Sequence, residues 1–239
     1  FLEMFSRKIK CKINLRKYLI YVVLATVCDV MPLRKINRLI SILAIKDFDI
    51  RNNNAFNELY NLSNKKNKIS IDDLGFLIGP ILNSGGRLGK SNYAAELLSS
   101  NDKRIIFKRS TELINLNNKR KKIESIIMDN IDFHKLEKDN DDVIVYYSSN
   151  INEGLIGIIA SRLKDYFNKP SIVITNSNNI LKSSARSIHG YNIGKAVKNA
   201  IDQKLLLTGG GHDMAAGFTL KKENLEIFKR FINKDFSIN

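Results

Sequence analysis

The sequence predicts an α/β protein built of two parts joined by a long helix. Beyond residue 142, short β-branched runs alternate with helical stretches of about ten to fifteen residues, as in an α/β layer fold. From about 103 to 137 apolar residues recur as a single stripe (Ile106, Leu113, Leu116, Ile123, Ile127, Ile131) with charge between them, which predicts one long helix. A composition break, "EKDNDD" at 137–142, marks the main boundary.

The elements follow in order. Residues 18–28, "YLIYVVLATVC", are apolar on every side, so periodicity leaves helix and strand open. Pro32 ends that run, "RKINRLISILAI" (34–45) predicts a short amphipathic helix, and 55–62 is a second helical patch. The segment 75–91, "GFLIGPILNSGGRLGKS", packs five glycines and a proline into seventeen residues before "NYAAELLSS" opens a helix. After the boundary come strand 143–148, helix 154–167, strands 171–175 and 180–187, helix 192–201, a glycine motif, strand 215–220 and a closing amphipathic helix.

Composition narrows the function classes. No apolar run approaches the ~18–20 residues of a membrane span, and the N-terminal stretch has no signal-peptide pattern, so a cytoplasmic protein is expected. The chain also lacks an initiator methionine and reads as a piece of something longer. Cys11 and Cys28 have neither disulfide-framework nor zinc spacing. A net charge of +15 points to a polyanionic partner, nucleic acid first, although the Lys, Asn and Ile bias of an A+T-rich genome accounts for part of it.

Four stretches carry chemistry. In "TGGGHDMAAG" (208–217), glycines free to take positive φ would line a concave anion site with Gly209, Gly210 and Gly211, and His212 at its lip would donate to a phosphate oxygen. In "SSARS" (183–187), Ser184 and Arg186 stand two apart and share one strand face, a hydroxyl and a guanidinium suited to a phosphate. In "GPILNSGGRLGKS" (79–91), Asn83, Arg87 and Lys90 ride on a glycine-rich segment entering a helix. Asp29 follows an apolar run, a position open to a metal ligand or to a cap. The bland alternatives are a tight turn, an edge strand with an exposed arginine, and a helix–helix corner.

Taken in order, "LATVCDVMPLRKINR", "GPILNSGGRLG", "LNNKRKKIES", "EGLIGIIASRL", "SSARS" and "GGGHDMAAGF" resemble the RecJ-type single-strand-specific DNA exonucleases of the DHH phosphoesterase superfamily. The resemblance covers essentially the whole chain. It implies the C-terminal remainder of a DHH domain (1–110), a connecting helix (111–138) and a smaller α/β DHH-associated domain with a mixed sheet (139–239). It also implies 5′-to-3′ hydrolysis of single-stranded DNA in repair and recombination, at a two-metal Mn2+ or Mg2+ site. Asp29 would be a metal ligand, Ser184 and Arg186 would hold the 5′-phosphate, Asn83 and Arg87 would line the strand's path, and Gly209, Gly210, Gly211 and the catalytic His212 would face the DNA near the metals.

Departures are Ile81 for an arginine, Ser84 and Gly85 for two alanines, and Asn152 where a histidine often stands. The family's first three metal-binding motifs precede anything present, so the isolated chain is expected to bind DNA without cleaving it. Single-strand binding protein or a helicase are the candidate protein partners, and a monomer is expected. The alternatives are a DHH-family oligonucleotide or cyclic-dinucleotide phosphodiesterase and a non-catalytic nucleic-acid-binding remnant.

Overall fold

A computed structural model describes residues 14–66 and 68–238, with Met4, Arg7 and Lys8. Cys11 lies outside the described residues. The chain divides into two compact units, Phe1–Lys119 and Arg120–Asn239.

The first unit is helical: α1 (Leu19–Cys28), α2 (Lys35–Asp47), α3 (Asn54–Leu62), α4 (Gly79–Arg87), α5 (Tyr93–Ser99) and the first part of α6 (Lys103–Asp129). The undecided apolar run is α1, which buries Ile20, Val23 and Leu24 and leaves Val22 exposed. Asn53 caps α3 by accepting from the Phe56 N–H, and its amide donates to the Tyr21 hydroxyl at 2.8 Å. Phe56, fully buried, meets Tyr21 and Phe48 edge-on at centroid distances of 5.8 and 5.4 Å. Burial of such side chains contributes roughly 1.5–3 kcal/mol each.

One helical turn (Ile71–Asp73) and a π-helical segment (Leu74–Ile78) lead directly into α4. A reciprocal capping box of Ser70 and Asp73 starts this run, satisfying backbone donors that a helix start leaves orphaned. The Gly79 N–H then donates to the Leu74 carbonyl five residues back, the π pattern. Glycine is required at 79 because a Cβ there would collide with Cys28 Sγ.

The second unit is a mixed five-stranded sheet with helices. Its strands are β1 (Ile144–Tyr147), β2 (Ser171–Ser177), β3 (Ile180–Arg186), β4 (Thr208–His212) and β5 (Ala215–Leu220), in the order β1-β2-β3-β5-β4. Only β1 and β2 run parallel, bridged by α8 (Ile156–Phe167); the other pairs are antiparallel. Ile172, Ile174, Leu181, Ala185, Ala216 and Phe218 belong to the core shared with α9 (Ile193–Asp202) and α10 (Leu225–Ile238). Ile144 and Val173 belong instead to a second cluster with Ile156, Ile159, Ala160 and Leu163 of α8.

The single helix predicted over 103–137 is two. The Asn130 amide donates to the Ile126 carbonyl at 2.8 Å and closes α6, and Asp132 then caps a new helix, α7 (Phe133–Lys138), by accepting from the Lys135 N–H. Two short polar side chains that bond the backbone locally outcompete the stripe. Ile131 between them is buried in the α8-side core. Within this unit Glu124 of α6 accepts from Arg120 at 2.7 Å and from Arg162 at 2.8 Å.

Candidate nucleic-acid interface

Strand alternation puts successive residues on opposite sheet faces, and residues paired across antiparallel strands share a face. The register of β3, β5 and β4 therefore sets out three rows of three on one side: Lys182–Thr219–Thr208, Ser184–Gly217–Gly210 and Arg186–Ala215–His212. Helix α8 packs against β2 and β3 on this side. Beyond it, Gly217, Gly210 and Ala215 form a floor of small residues with Ser184, Arg186 and His212 at its margins. Lys182 is held by Glu153 at 2.7 Å.

Ser184 and Arg186, both half-buried, meet as the sequence predicts. The Arg186 Nη1 donates to Ser184 Oγ at 3.1 Å and to the Ala185 carbonyl at 2.8 Å. No carboxylate pairs with Arg186 among the described residues. Burial lowers its guanidinium pKa from the ordinary value, yet arginine stays cationic in proteins. The arrangement is a partly desolvated fixed charge without a counter-ion among the described residues.

Gly157, in the first turn of α8, completes this corner. A Cβ there would stand 3.1 Å from both Arg186 Nη2 and Ser184 Oγ, so glycine makes room for the pair. The N-terminal turn of a helix presents free amides and a positive dipole end, which favour an anion. Sequence reasoning missed Gly157; the available signal was a glycine in the first turn of an otherwise apolar-faced helix.

The glycine triplet departs from the expected positive-φ loop. Gly209, Gly210 and Gly211 are extended residues of the edge strand β4, and the glycines with positive φ among the described residues are Gly89 and Gly190. A Cβ on Gly209 would stand 2.6 Å from Phe218 Cβ and one on Gly211 2.5 Å from Ala216 Cβ; Gly194 of α9 likewise abuts the Gly211 backbone. These two glycines therefore let α9 and β5 approach. Gly210 points to the other face, where a Cβ would meet nothing within 4 Å. His212 is exposed, with no hydrogen bond to its ring among the described residues.

In the first unit, Asn83 and Arg87 lie one turn apart on the outer face of α4, with Gly86 beside them. The inner face holds Ile81, Ser84 and Gly85. Ile81 is buried in the unit's core, Ser84 donates to the Ile81 carbonyl at 2.6 Å and to the Leu113 carbonyl at 3.0 Å, and a Cβ on Gly85 would stand 3.1 Å from Leu113 Cδ2. Gly86, like Gly210, would meet nothing within 4 Å.

Comparison with known proteins fits both units. Residues 140–237 match the model of the DHHA1 domain. The single-stranded-DNA-specific exonuclease RecJ of Bacillus subtilis is 34% identical over 215 residues, 88% of this chain and 27% of that protein. The chain belongs to the RecJ-like DHHA1 proteins. Crystal structures of RecJ from Thermus thermophilus share its fold: TM-score 0.83 for the complex with Mn2+ and 0.82 for that with Mg2+, at 24% identity, covering 98% of this chain and 34% and 36% of those chains. The RecJ-like chain thus spans about a third of the length of the proteins it matches.

Asp29 of the RecJ-like chain is exposed just past the end of α1, its N–H donating to the Ala25 carbonyl at 3.0 Å. Val30 beside it takes a φ of 53°, a left-handed conformation rare for a β-branched residue. Among the described residues no three His, Cys, Asp or Glu side chains gather where a metal ion could sit. Asp29 is an exposed carboxylate, and the described residues do not fit a complete metal centre. Asn152, the departure before α8, accepts from the Gly154 N–H at 2.9 Å and shapes the turn entering that helix. Among the described residues no helix is long and apolar enough to cross a membrane.

Proposed function

We propose that the chain is the strand-gripping portion of a single-stranded-DNA 5′-to-3′ exonuclease serving DNA repair and recombination. One observation carries this reading: a half-buried arginine without a carboxylate partner among the described residues, held by a neighbouring hydroxyl against a glycine at a helix N-terminus. That constellation suits a terminal phosphate. Arg186 supplies the charge and a two-pronged donor, Ser184 a hydroxyl, and the first turn of α8 its backbone amides. The small-residue floor of Gly217, Gly210 and Ala215 admits the sugar–phosphate backbone, and His212 donates to an oxygen near the reacting end. Asn83 and Arg87 on α4 line the path of the strand.

Asp29 is read as one ligand of the Mn2+ or Mg2+ ions, which when bound supply charge stabilisation and an activated water. The remaining ligands are not among the described residues, so the purified 239-residue chain is expected to bind single strands and not to hydrolyse them. Metal-dependent nuclease activity of that chain would overturn this part. The binding reading is tested by titrating 5′-phosphorylated and 5′-hydroxyl oligonucleotides: a clear preference for the phosphorylated strand is expected, and equal affinity refutes the assigned clamp. The gathering of Arg186, Ser184 and the first turn of α8, with no cluster of three metal-ligating side chains among the described residues, also favours a second reading, a binding-only protein. Complementation with a chain bearing the missing ligands decides between them, since only the exonuclease portion gains activity.

A further inference from the structure

Phe76 stands 85% exposed in the π-helical segment that leads into α4, while Leu74 and Ile78 on either side of it are fully buried. An isolated exposed aromatic needs no explanation by itself. This one is placed by an irregularity: the π turn widens the helix, and such turns recur at functional sites. With that turn included, Phe76, Pro80, Asn83 and Arg87 fall along one outer face of the continuous run 71–87, opposite the buried Leu74, Ile78, Ile81 and Leu82. Gly86, whose missing side chain leaves open space, lies beside that line. A flat ring, an amide, a guanidinium and an uncovered stretch of helix backbone therefore follow one another along one surface of a chain of net charge +15.

We infer that Phe76 is a stacking platform for a nucleobase of the bound single strand, with Asn83 and Arg87 holding the adjoining backbone. The inference rests on the nucleic-acid reading above and adds a base contact to it. Single-strand sites combine cationic groups that track phosphates with rings that stack on bases whatever their identity. Duplex bases are already stacked on one another, so the ring also selects for unpaired strands.

The chain contains no tryptophan, so Phe76→Trp installs a single indole fluorophore at the site. Titration with an oligothymidylate, followed by indole emission and by the anisotropy of a label on the DNA, is expected to give quenching that saturates with binding. An oligonucleotide of abasic residues should bind with little quenching. Phe76→Leu, apolar but without a ring, is expected to weaken oligothymidylate binding roughly tenfold, with Phe76→Tyr close to the parent. Binding without quenching, or a Phe76→Leu affinity equal to the parent's, overturns the stacking role and leaves the phosphate clamp standing. Failure of the parent chain to bind single strands overturns both.

Discussion

Replacing Gly157 by alanine separates folding from binding at the proposed clamp. In the first turn of α8 the nearest neighbours of a methyl group are Arg186 Nη2 and Ser184 Oγ, each at 3.1 Å. Both are ends of side chains that shift without moving backbone, so the packing penalty is small. Alanine is favoured over glycine in helices by up to about 1 kcal/mol, which predicts unchanged or slightly raised stability, a melting temperature higher by about 0–4 °C. The same methyl displaces the guanidinium and occupies the space an anion would use. Hydrogen bonds to a charged group contribute about 1.5–3 kcal/mol, so affinity for a 5′-phosphorylated strand should fall by about 10- to 100-fold. Affinity for the 5′-hydroxyl strand should barely change. Calorimetry and fluorescence anisotropy read the two effects independently. A Gly157→Ala protein that keeps the full preference for 5′-phosphate would refute the placement of the anion between α8 and Arg186.

Four further outcomes are expected. Arg186→Ala should weaken binding to 5′-phosphorylated strands with little sequence dependence and flatten the salt slope by about one charge, read from titrations at several ionic strengths. Gly210→Ala should leave stability nearly unchanged while lowering DNA affinity, whereas Gly211→Ala, whose Cβ would stand 2.5 Å from Ala216 Cβ, should cost about 1–3 kcal/mol of stability, seen in urea unfolding. Glu124→Ala removes the carboxylate shared by Arg120 and Arg162 in a largely buried setting and should destabilise by about 3 kcal/mol, with a matching fall in melting temperature. Asp73 is expected to make the stability of the first unit acid-sensitive. Burial raises its carboxyl pKa, but hydrogen bonds from the Ser70 N–H and hydroxyl and the Lys65 ammonium at 3.2 Å outweigh this and hold it below the ordinary value. A group more acidic in the folded state stabilises at pH above its unfolded pKa, about 4, and loses that contribution as pH falls through the folded value. Asp73→Asn should flatten this acid limb in pH-dependent unfolding.

Much of the second unit was legible in the sequence because each strand and helix carries its own period and is closed by its own turn. Strands β1, β2, β3 and β5 and helices α8, α9 and α10 fall where alternation predicts them, and the spacing of Ser184 and Arg186 already implied a shared face, whereas β4 stands where a glycine loop was expected. What could not be read is whatever depends on partners distant in sequence. The run 18–28 is apolar on all sides, so its helical state rests on packing that its own residues do not encode. The break after Asp129 was hidden because Asn130 and Asp132 fit the polar face of a long helix as well as they fit two caps. Gly209 and Gly211 are glycines because β5 and α9 come close, a fact held by Ala216, Phe218, Val197 and Gly194 rather than by the triplet. Gly157 was missed for the same reason, since its role is defined by Arg186, which is close in space but far along the sequence on β3.

Strand β4 lies at the end of the sheet order. A sheet margin invites addition of a foreign strand, which proteins usually discourage with lysines, prolines or bulges. Here the discouragement is conformational: three successive glycines lose the most entropy on being held extended and offer no side chains for a zipper. The residues that let a neighbouring helix approach, and that are proposed to admit a ligand, would thereby also oppose self-association. A β-branched residue at Gly210 would be accommodated by the fold and would improve strand propensity, and its consequence would appear in concentrated solution as turbidity or fibril growth rather than as a change in melting.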